Sequence, residues 1–371
     1  MIFLLQVDDD ESTVGHGNVP LSVRDLYTPR SATFSGGIVI RRVENDMTHI
    51  AILTYPEAQL AAVLGMTDLL AATNTATMLN LAEPPLVVSH WRKTPSGMQV
   101  AQVFSTGTAS PVPTVCIMPP SLQGPPAPDP ATIRWLQTLH RQGCVMASVC
   151  TGAFVLGAAG LLDGHTVTTH WTYEARFQKA FPHAQIDADR LIIDEGDVVT
   201  AGGVMSWTDL ALTLIERYRG RAVMSEVARS FLLDPPGRRQ SYYSSFAPAL
   251  DHGDDAIRQA QVVLAERMKE EISLAELASA AGLEQRTFLR RFTKATGLTA
   301  TAYRQRLRIS RAQDLLRNTN LKTERIGWDV GYADPSAFRK VFQTIVGLSA
   351  TEYRKRFASH LQKDGSNQDA G

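Results

Sequence analysis

The stretch Ala147–Phe154, A-S-V-C-T-G-A-F, holds the residue best placed to do chemistry, Cys150, with Gly152 two positions on. It follows the short apolar run Gly143–Ala147, which reads as a strand. Thr151–Leu162, rich in small residues, reads as a helix. Strand, tight turn and helix make a nucleophile elbow, with the side chain held at a helix N-terminus, where partial positive charge favours a thiolate. Cys116 and Cys144 sit in apolar runs and read as core. No metal-ligand spacing, phosphate-binding loop or dinucleotide fingerprint is present, so neither a metal nor a cofactor is expected.

An elbow needs a sheet to carry it. From Met47 to Leu233, apolar strand-like runs alternate with helical patterns: Ile50–Leu53, Gln59–Leu70, Leu86–Val88, Val115–Met118, Ala131–Gln142, the elbow pair, Thr166–Thr169, Ile186–Ile193, Val198–Thr200 and Thr208–Tyr218. The alternation predicts an α/β doubly wound parallel sheet, with ligands at the carboxyl ends of its strands. Asp234–Gly237, D-P-P-G, breaks the pattern, and the following residues to 254 read as a polar linker. Residues 255–360 are helical throughout, an all-α domain, and 361–371 read as a disordered tail.

The 371 residues are enough for two or three domains, with 44% hydrophobic and 20% charged residues, as in ordinary globular protein. Three cysteines are too few and odd in number for a disulfide framework, which points to the reducing cytoplasm. The opening Met-Ile-Phe-Leu-Leu run is too short to span a bilayer, and no membrane segment is expected. Residues 1–46 are polar and irregular, either a disordered arm or the product of a mis-assigned start, with Met47 the true first residue. A net charge of zero conceals an asymmetry. Asp251–Arg356 carries 19 Lys/Arg against 13 Asp/Glu, and Glu284–Arg317 carries nine against two. A basic module on an acidic body is an electrostatic footprint for nucleic acid.

That module contains one pattern twice. Ser273 caps a helix over Leu274–Ala278, Gly282 makes a turn, and Gln285–Thr296 forms a second helix. Ile326–Val330, Gly331 and Pro335–Ile345 repeat it about fifty residues later. Phe288 and Phe292 correspond to Phe338 and Phe342 as core, and Gly297 to Gly347. The Arg-rich helix Ala300–Arg317 joins two helix-turn-helix units that could enter successive major grooves of double-stranded DNA. Gln285, Arg286, Arg290 and Lys294 lie on the free face of the first recognition helix. Ser336, Arg339 and Lys340 lie on that of the second. Arg286 and Arg290 are the base-reading candidates, because arginine bonds guanine bidentately.

The segment Gly331–Phe342, G-Y-A-D-P-S-A-F-R-K-V-F, with about a hundred residues around it, resembles the AraC-type DNA-binding domain. Ala350 stands where that family has proline, which would loosen one turn. The motifs S-V-C-T-G-A-F (148–154), A-G-L-L-D-G (159–164), T-T-H-W (168–171) and V-T-A-G-G-V-M-S-W-T-D-L (199–210) resemble the class I amidotransferase-like superfamily in its ThiJ/PfpI branch, a flavodoxin-like fold over residues 47–233. The combination resembles the GlxA family of transcriptional regulators.

The resemblance implies a ligand-sensing domain that binds a small effector of the amino acid or amine class, a homodimer, and contact with RNA polymerase. Carried onto this chain, it makes Cys150, Thr151, His170, Trp171 and Gly203 the ligand-binding residues, with Trp171 and Trp207 as candidates for an aromatic cage around a cation. Enzymes of the superfamily pair the elbow cysteine with a histidine at the position of His170, an arrangement suited to covalent acyl chemistry. Two departures argue that Cys150 and His170 are vestigial. Pro119-Pro120 replaces a Gly-Gly whose N–H supports the oxyanion, and the acidic partner falls between Glu57 and Gln59. A cysteine hydrolase or hydratase and a thiol redox sensor remain the alternatives.

Overall fold

The computed structural model describes residues 47–75, 84–246, 248 and 250–358. The expectations for residues 1–46 and for the tail 361–371 lie outside the described residues.

Central strands buried on both faces need continuous apolar sequence, and these have it. β1 (His49–Leu53) is followed by α1 (Leu60–Ala71), β2 (Val87–Lys93), β3 (Val100–Ser105), β4 (Val115–Met118), α2 (Pro130–Arg141) and β5 (Val145–Val149). Then come α3 (Ala153–Ala158), β6 (Thr166–Val167), α4 (Glu174–Ala180), β7 (Gln185–Ile186), β8 (Ile192–Asp194), β9 (Val198–Ala201) and α5 (Trp207–Ser230). The main sheet runs β3-β2-β1-β4-β5-β9-β8. Its five inner strands are parallel, as the alternation predicts, but both edge strands are antiparallel, so the sheet is mixed. One face packs on α1 and α5 through Met66, Leu70, Leu210 and Leu214. The other packs on α2, α3 and α4 through Leu136, Phe154 and Phe177.

Three local expectations change. Ile186–Ile193 is not one strand: β7 pairs only with β6 in a separate two-stranded ribbon, and β8 returns to the main sheet. The helix after the elbow is shorter than the small-residue run, because Cys150–Gly152 form a 3-10 turn and the α-helix ends at Ala158. α5 runs to Ser230 but is broken at Gly220, whose φ of +82° lies in the left-handed region. No helix among the described residues is long and apolar enough to cross a membrane.

The C-terminal part comprises α6 (Asp255–Glu266), α7 (Leu274–Ala280), α8 (Gln285–Thr296), α9 (Ala300–Asn318), α10 (Thr323–Asp329), α11 (Pro335–Val346) and α12 (Ala350–Phe357). It has two separate cores. Phe288 and Phe292 pack with Ile257, Leu264 and Tyr303; Phe338 and Phe342 pack with Ile309, Leu316 and Tyr353. α9 contributes Tyr303 to the first and Ile309 to the second, so one rigid helix spaces the two units. Ser273 and Glu276 form a capping box, as do Ser349 and Glu352. The second box secures the start of α12 with Ala350 buried, so the missing proline does not loosen that turn.

Arg308 joins the units. It is buried on α9, with Nε donating to the Met268 carbonyl at 2.8 Å and a second nitrogen to the Glu270 carbonyl at 3.2 Å. Its guanidinium lies 5.4 Å from the Tyr332 ring centroid, beside the turn at Gly331. Burial pulls its pKa down, and neighbouring Arg304 adds to the effect. A planar fork fits these partners and an ammonium does not. Arg308→Lys is therefore expected to destabilise the C-terminal part by about 1–3 kcal/mol, read as a lower urea midpoint with an unchanged slope.

Candidate elbow site and nucleic-acid interface

The elbow lies where the carboxyl ends of β1, β4 and β5 converge. Cys150 has φ +54°, one of two non-glycine residues with positive φ among the described residues. That strain marks a constrained turn. Gly152 meets the end of β4 so closely that a Cβ there would sit 2.3 Å from the Met118 oxygen and 2.9 Å from the Pro119 oxygen. No other residue type fits. Carbonyls line the Gly152 side of the turn: Met118 and Pro119 face Gly152, Tyr55 Oη donates to the Pro119 oxygen at 2.5 Å, and the Gln59 backbone N–H donates to the Pro120 oxygen at 2.8 Å.

The end of β4 offers few hydrogen-bond donors to the elbow. Prolyl nitrogens at 119 and 120 have no hydrogen. The next amide, Ser121 N–H, is committed to Thr151 Oγ1 at 2.8 Å. Thr151 is itself buried by this bond, so its hydroxyl braces the loop. The thiol does not behave as the helix-terminus argument expects. Cys150 is 1% exposed, and burial raises its pKa to about 11, a rise that the Thr151 and His170 backbone amides only partly offset. A three-residue 3-10 turn followed by a six-residue helix cannot outweigh that desolvation. Cys116 and Cys144 are buried core thiols, as expected, and burial raises both, Cys144 to about 12.

His170 is half-buried, and its ring serves the chain locally. Nδ1 accepts the Thr172 amide at 3.3 Å and lies 2.8 Å from the Thr172 hydroxyl, capping the 3-10 turn Trp171–Tyr173. With Nδ1 an acceptor, the neutral ring carries its proton on Nε2, and burial lowers its pKa. No hydrogen bond joins its ring to Cys150 among the described residues; the segments are linked instead by the His170 backbone amide at the thiol and by Thr169 Oγ1, which donates to the Cys150 carbonyl at 2.7 Å. Trp171 stacks on His170 with centroids 5.6 Å apart. Trp207 packs against Gly65 of α1, where a Cβ would lie 2.5 Å from its ring. No ring contact between the two tryptophans occurs among the described residues. Gly203 borders open space. Of the two candidates for the acidic position, Glu57 is exposed, whereas Gln59 has a buried Oε1 without a hydrogen-bond partner.

Cys150, Thr151 and Gly152 are buried. An open depression of about 500 Å³ lies by Lys93, Met98, Asp129 and Arg134, and one of about 120 Å³ lies between Thr75 and Phe231; neither includes an elbow residue. What closes one wall was not legible in the sequence. Gln240, from the supposed linker, is buried against Thr168, Thr169, Trp171 and Arg190. Gly202 leaves it room: a Cβ there would meet the Gln240 amide at 2.1 Å. In sequence Gln240 is one polar residue among many, and Gly202 reads only as a turn.

At the other end, Gln285, Arg286, Arg290 and Lys294 on α8, and Ser336, Arg339 and Lys340 on α11, are all exposed. Arg286, Arg290, Lys294 and Lys340 have no ion-pair partner among the described residues, whereas Arg339 approaches Glu324 at 3.8 Å. Arg291, on the same helix, is held bidentately by Asp254 at 2.7 and 2.9 Å and so fastens α8 to the start of α6. Gly297 and Gly347, with φ of +71° and +89°, end α8 and α11 in the left-handed conformation.

A doubly wound α/β layer with an elbow, followed by paired helix-turn-helix units, defines a two-part fusion. Residues 124–217 match the DJ-1/PfpI family and residues 277–356 match a helix-turn-helix domain. The chain therefore carries a DJ-1/PfpI domain joined to an AraC-type helix-turn-helix domain, the combination its sequence resembles. Among its relatives is the HTH-type transcriptional regulator CdhR of Pseudomonas aeruginosa, 29% identical over 240 residues, which cover 64% of this chain and 68% of that one. The HTH-type transcriptional regulator GbdR of the same species is 27% identical over 224 residues, 60% of this chain and 61% of that one. This chain thus spans about two thirds, or less, of these regulators' own lengths. An enzyme is also related: the isonitrile hydratase of Pseudomonas putida is 28% identical over 171 residues, 46% of this chain and 72% of the enzyme.

A thiol shifted from 9.0 to about 11 exposes far less thiolate near neutrality. Cys150 in the folded protein is expected to react with iodoacetamide at pH 7.5 about a hundredfold more slowly than a free cysteine, measured by mass spectrometry of its peptide. A rate equal to that of a free thiol would contradict the burial argument.

Proposed function

We propose that the chain is a DNA-binding transcriptional regulator whose elbow region senses a small metabolite. The observation that carries this reading is the union, in one chain, of two exposed cationic recognition faces with an elbow whose thiol is buried and protonated. α8 and α11 enter the major groove, Arg286 and Arg290 read bases, and Lys294, Arg339 and Lys340 hold the backbone with Gln285 and Ser336 beside them. The effector, of the amino acid or amine class, contacts His170, Trp171 and Gly203 at the rim above Cys150 and Thr151. The active form is a homodimer in the cytoplasm that engages promoter DNA and RNA polymerase. Residues 47–233 form the sensing domain and 255–360 the DNA-binding domain.

The competing reading, cysteine-dependent hydration or hydrolysis with Cys150 as nucleophile, draws support from the strained elbow and from the hydratase relative. Three features weigh against it: the raised thiol, the prolines at 119 and 120, and the use of His170 Nδ1 as a cap. Incubating the wild type with isonitriles and amides tests it directly; turnover lost in Cys150→Ala would establish the enzyme.

For the regulator, the readout is binding to a duplex selected from a random pool. Arg290→Ala is expected to cost about 1–3 kcal/mol in binding and to relax preference at one base pair, while Lys340→Ala weakens all sequences alike and lowers the salt slope by about one. An unchanged base profile in Arg290→Ala would remove it from base reading. A thermal-shift screen of amines and amino acids names the effector, because a specific ligand raises Tm by mass action.

A further inference from the structure

We infer that Arg238–Tyr243 is a coupling strap, which reads the wall of the elbow through Gln240 and holds the C-terminal end of the second recognition helix through Ser241 and Tyr242. The inference rests on the proposed sensing role of the elbow and the DNA-binding role of α11. The strap has a built seat at each end.

At the elbow end, the Gln240 amide nitrogen bonds to Thr168 Oγ1 at 3.0 Å, the Thr169 carbonyl at 2.8 Å and the Arg190 carbonyl at 3.1 Å. Its oxygen accepts the Trp171 amide at 3.3 Å. The backbone N–H groups of Gln240 and Ser241 both donate to the Asp189 carbonyl. Thr169 in turn donates to the Cys150 carbonyl, so the segment Thr168–Trp171 touches the elbow on one side and the strap on the other. Arg238 anchors the strap's start on the buried Asp209 at the first turn of α5. The notch at Gly202 admits the glutamine only because no Cβ is there.

At the helical end, Ser241 Oγ donates to the Val346 carbonyl at 2.8 Å, in the last turn of α11. A Cβ at Gly347 would come within 2.7 Å of the Tyr242 ring and 3.3 Å of Arg239 Cδ. Gly347 therefore serves twice, as the left-handed cap of α11 and as the seat of the strap. Beyond it, the Arg356 guanidinium lies over both Tyr242 and Tyr243, at 5.9 and 5.6 Å, and bonds to the Tyr243 hydroxyl at 3.0 Å. None of this covers Ser336, Arg339 or Lys340, so the strap positions α11 without masking its reading face.

Gln240 and Ser241 are consecutive. One side chain enters the α/β layer and the next is bonded to α11, so a shift at one seat reaches the other through a single peptide unit. Cys150 is 1% exposed and Thr168 and Thr169 are fully buried, so a ligand touches the thiol only if a wall such as Thr168–Trp171 moves. That movement carries the bonds that hold Gln240. Occupancy of the elbow then changes where α11 sits relative to the sheet, which is the differential contact that coupling requires.

The test uses full-length wild type, Gln240→Ala and Ser241→Ala, with a duplex selected by the wild type from a random pool. Methyl methanethiosulfonate supplies the elbow occupant as a methylthio group on Cys150, placed by mass spectrometry, and Kd is read by fluorescence anisotropy. Modification is expected to change the wild-type Kd about fivefold or more, and that of each variant less than twofold. An equal change in wild type and variants overturns the strap, as does modified wild type that binds DNA with unaltered Kd. Should Cys150 resist the reagent, Cys150→Met places the extra bulk and is read the same way. A wild type that selects no duplex refutes DNA binding itself. The strap is then judged by hydrogen exchange in Gly202→Ala, which is expected to speed exchange at both 168–171 and 344–349; acceleration at 168–171 alone overturns it.

Discussion

The tightest approach of a glycine to backbone in the α/β domain is that of Gly152 to the carbonyls of Met118 and Pro119 at the end of β4. Three properties of the elbow depend on it. The residue two positions before must take a positive φ to bring the chain round, and it is Cys150 that does so. The turn that follows is pressed against the sheet, which buries the thiol and raises its pKa. The groups that the end of β4 presents to Gly152 are carbonyl oxygens. Prolines at 119 and 120 leave the next two backbone nitrogens without hydrogens.

The helical part follows a different logic. Each helix-turn-helix unit has a small core of its own, and the two are held in register by one long helix and one buried arginine. Small cores close by capping boxes, left-handed glycines and aromatic pairs, all local devices with clear sequence signatures. The cationic faces of α8 and α11 stay exposed because the core needs only the opposite stripe of each helix. Spacing between α8 and α11 is therefore set by α9 and Arg308.

Neither half, taken separately, predicts how they are joined. The polar segment between them is in part a packed element with one residue seated in each half. Its first anchor, Arg238 on buried Asp209, is among the few charge pairs in the described residues with a nearly inaccessible partner. Buried ion pairs serve register better than stability, which suits a strap whose position matters more than its strength. The surface pair Arg306–Asp189, at 3.8 Å and over a third exposed on both sides, adds little.

Much of this architecture was legible in the sequence because its causes are local. Apolar runs made the inner strands, caps and glycines bounded the helices, and the repeated Phe and Gly spacing marked both helix-turn-helix units. The cationic faces of α8 and α11 followed from helical periodicity alone. Where the sequence misled, a nonlocal interaction decided. The antiparallel edges and the division of Ile186–Ile193 depend on which strand lies alongside. The state of Cys150 depends on how much chain packs over it, a quantity that a motif does not contain. His170 was picked out by its distance from Cys150 along the chain, yet its ring went to the nearer Thr172. Above all, Gln240 is unremarkable in a polar stretch until the sheet brings Gly202 opposite it. Only the tertiary structure could pair a missing Cβ with a side chain 38 positions away.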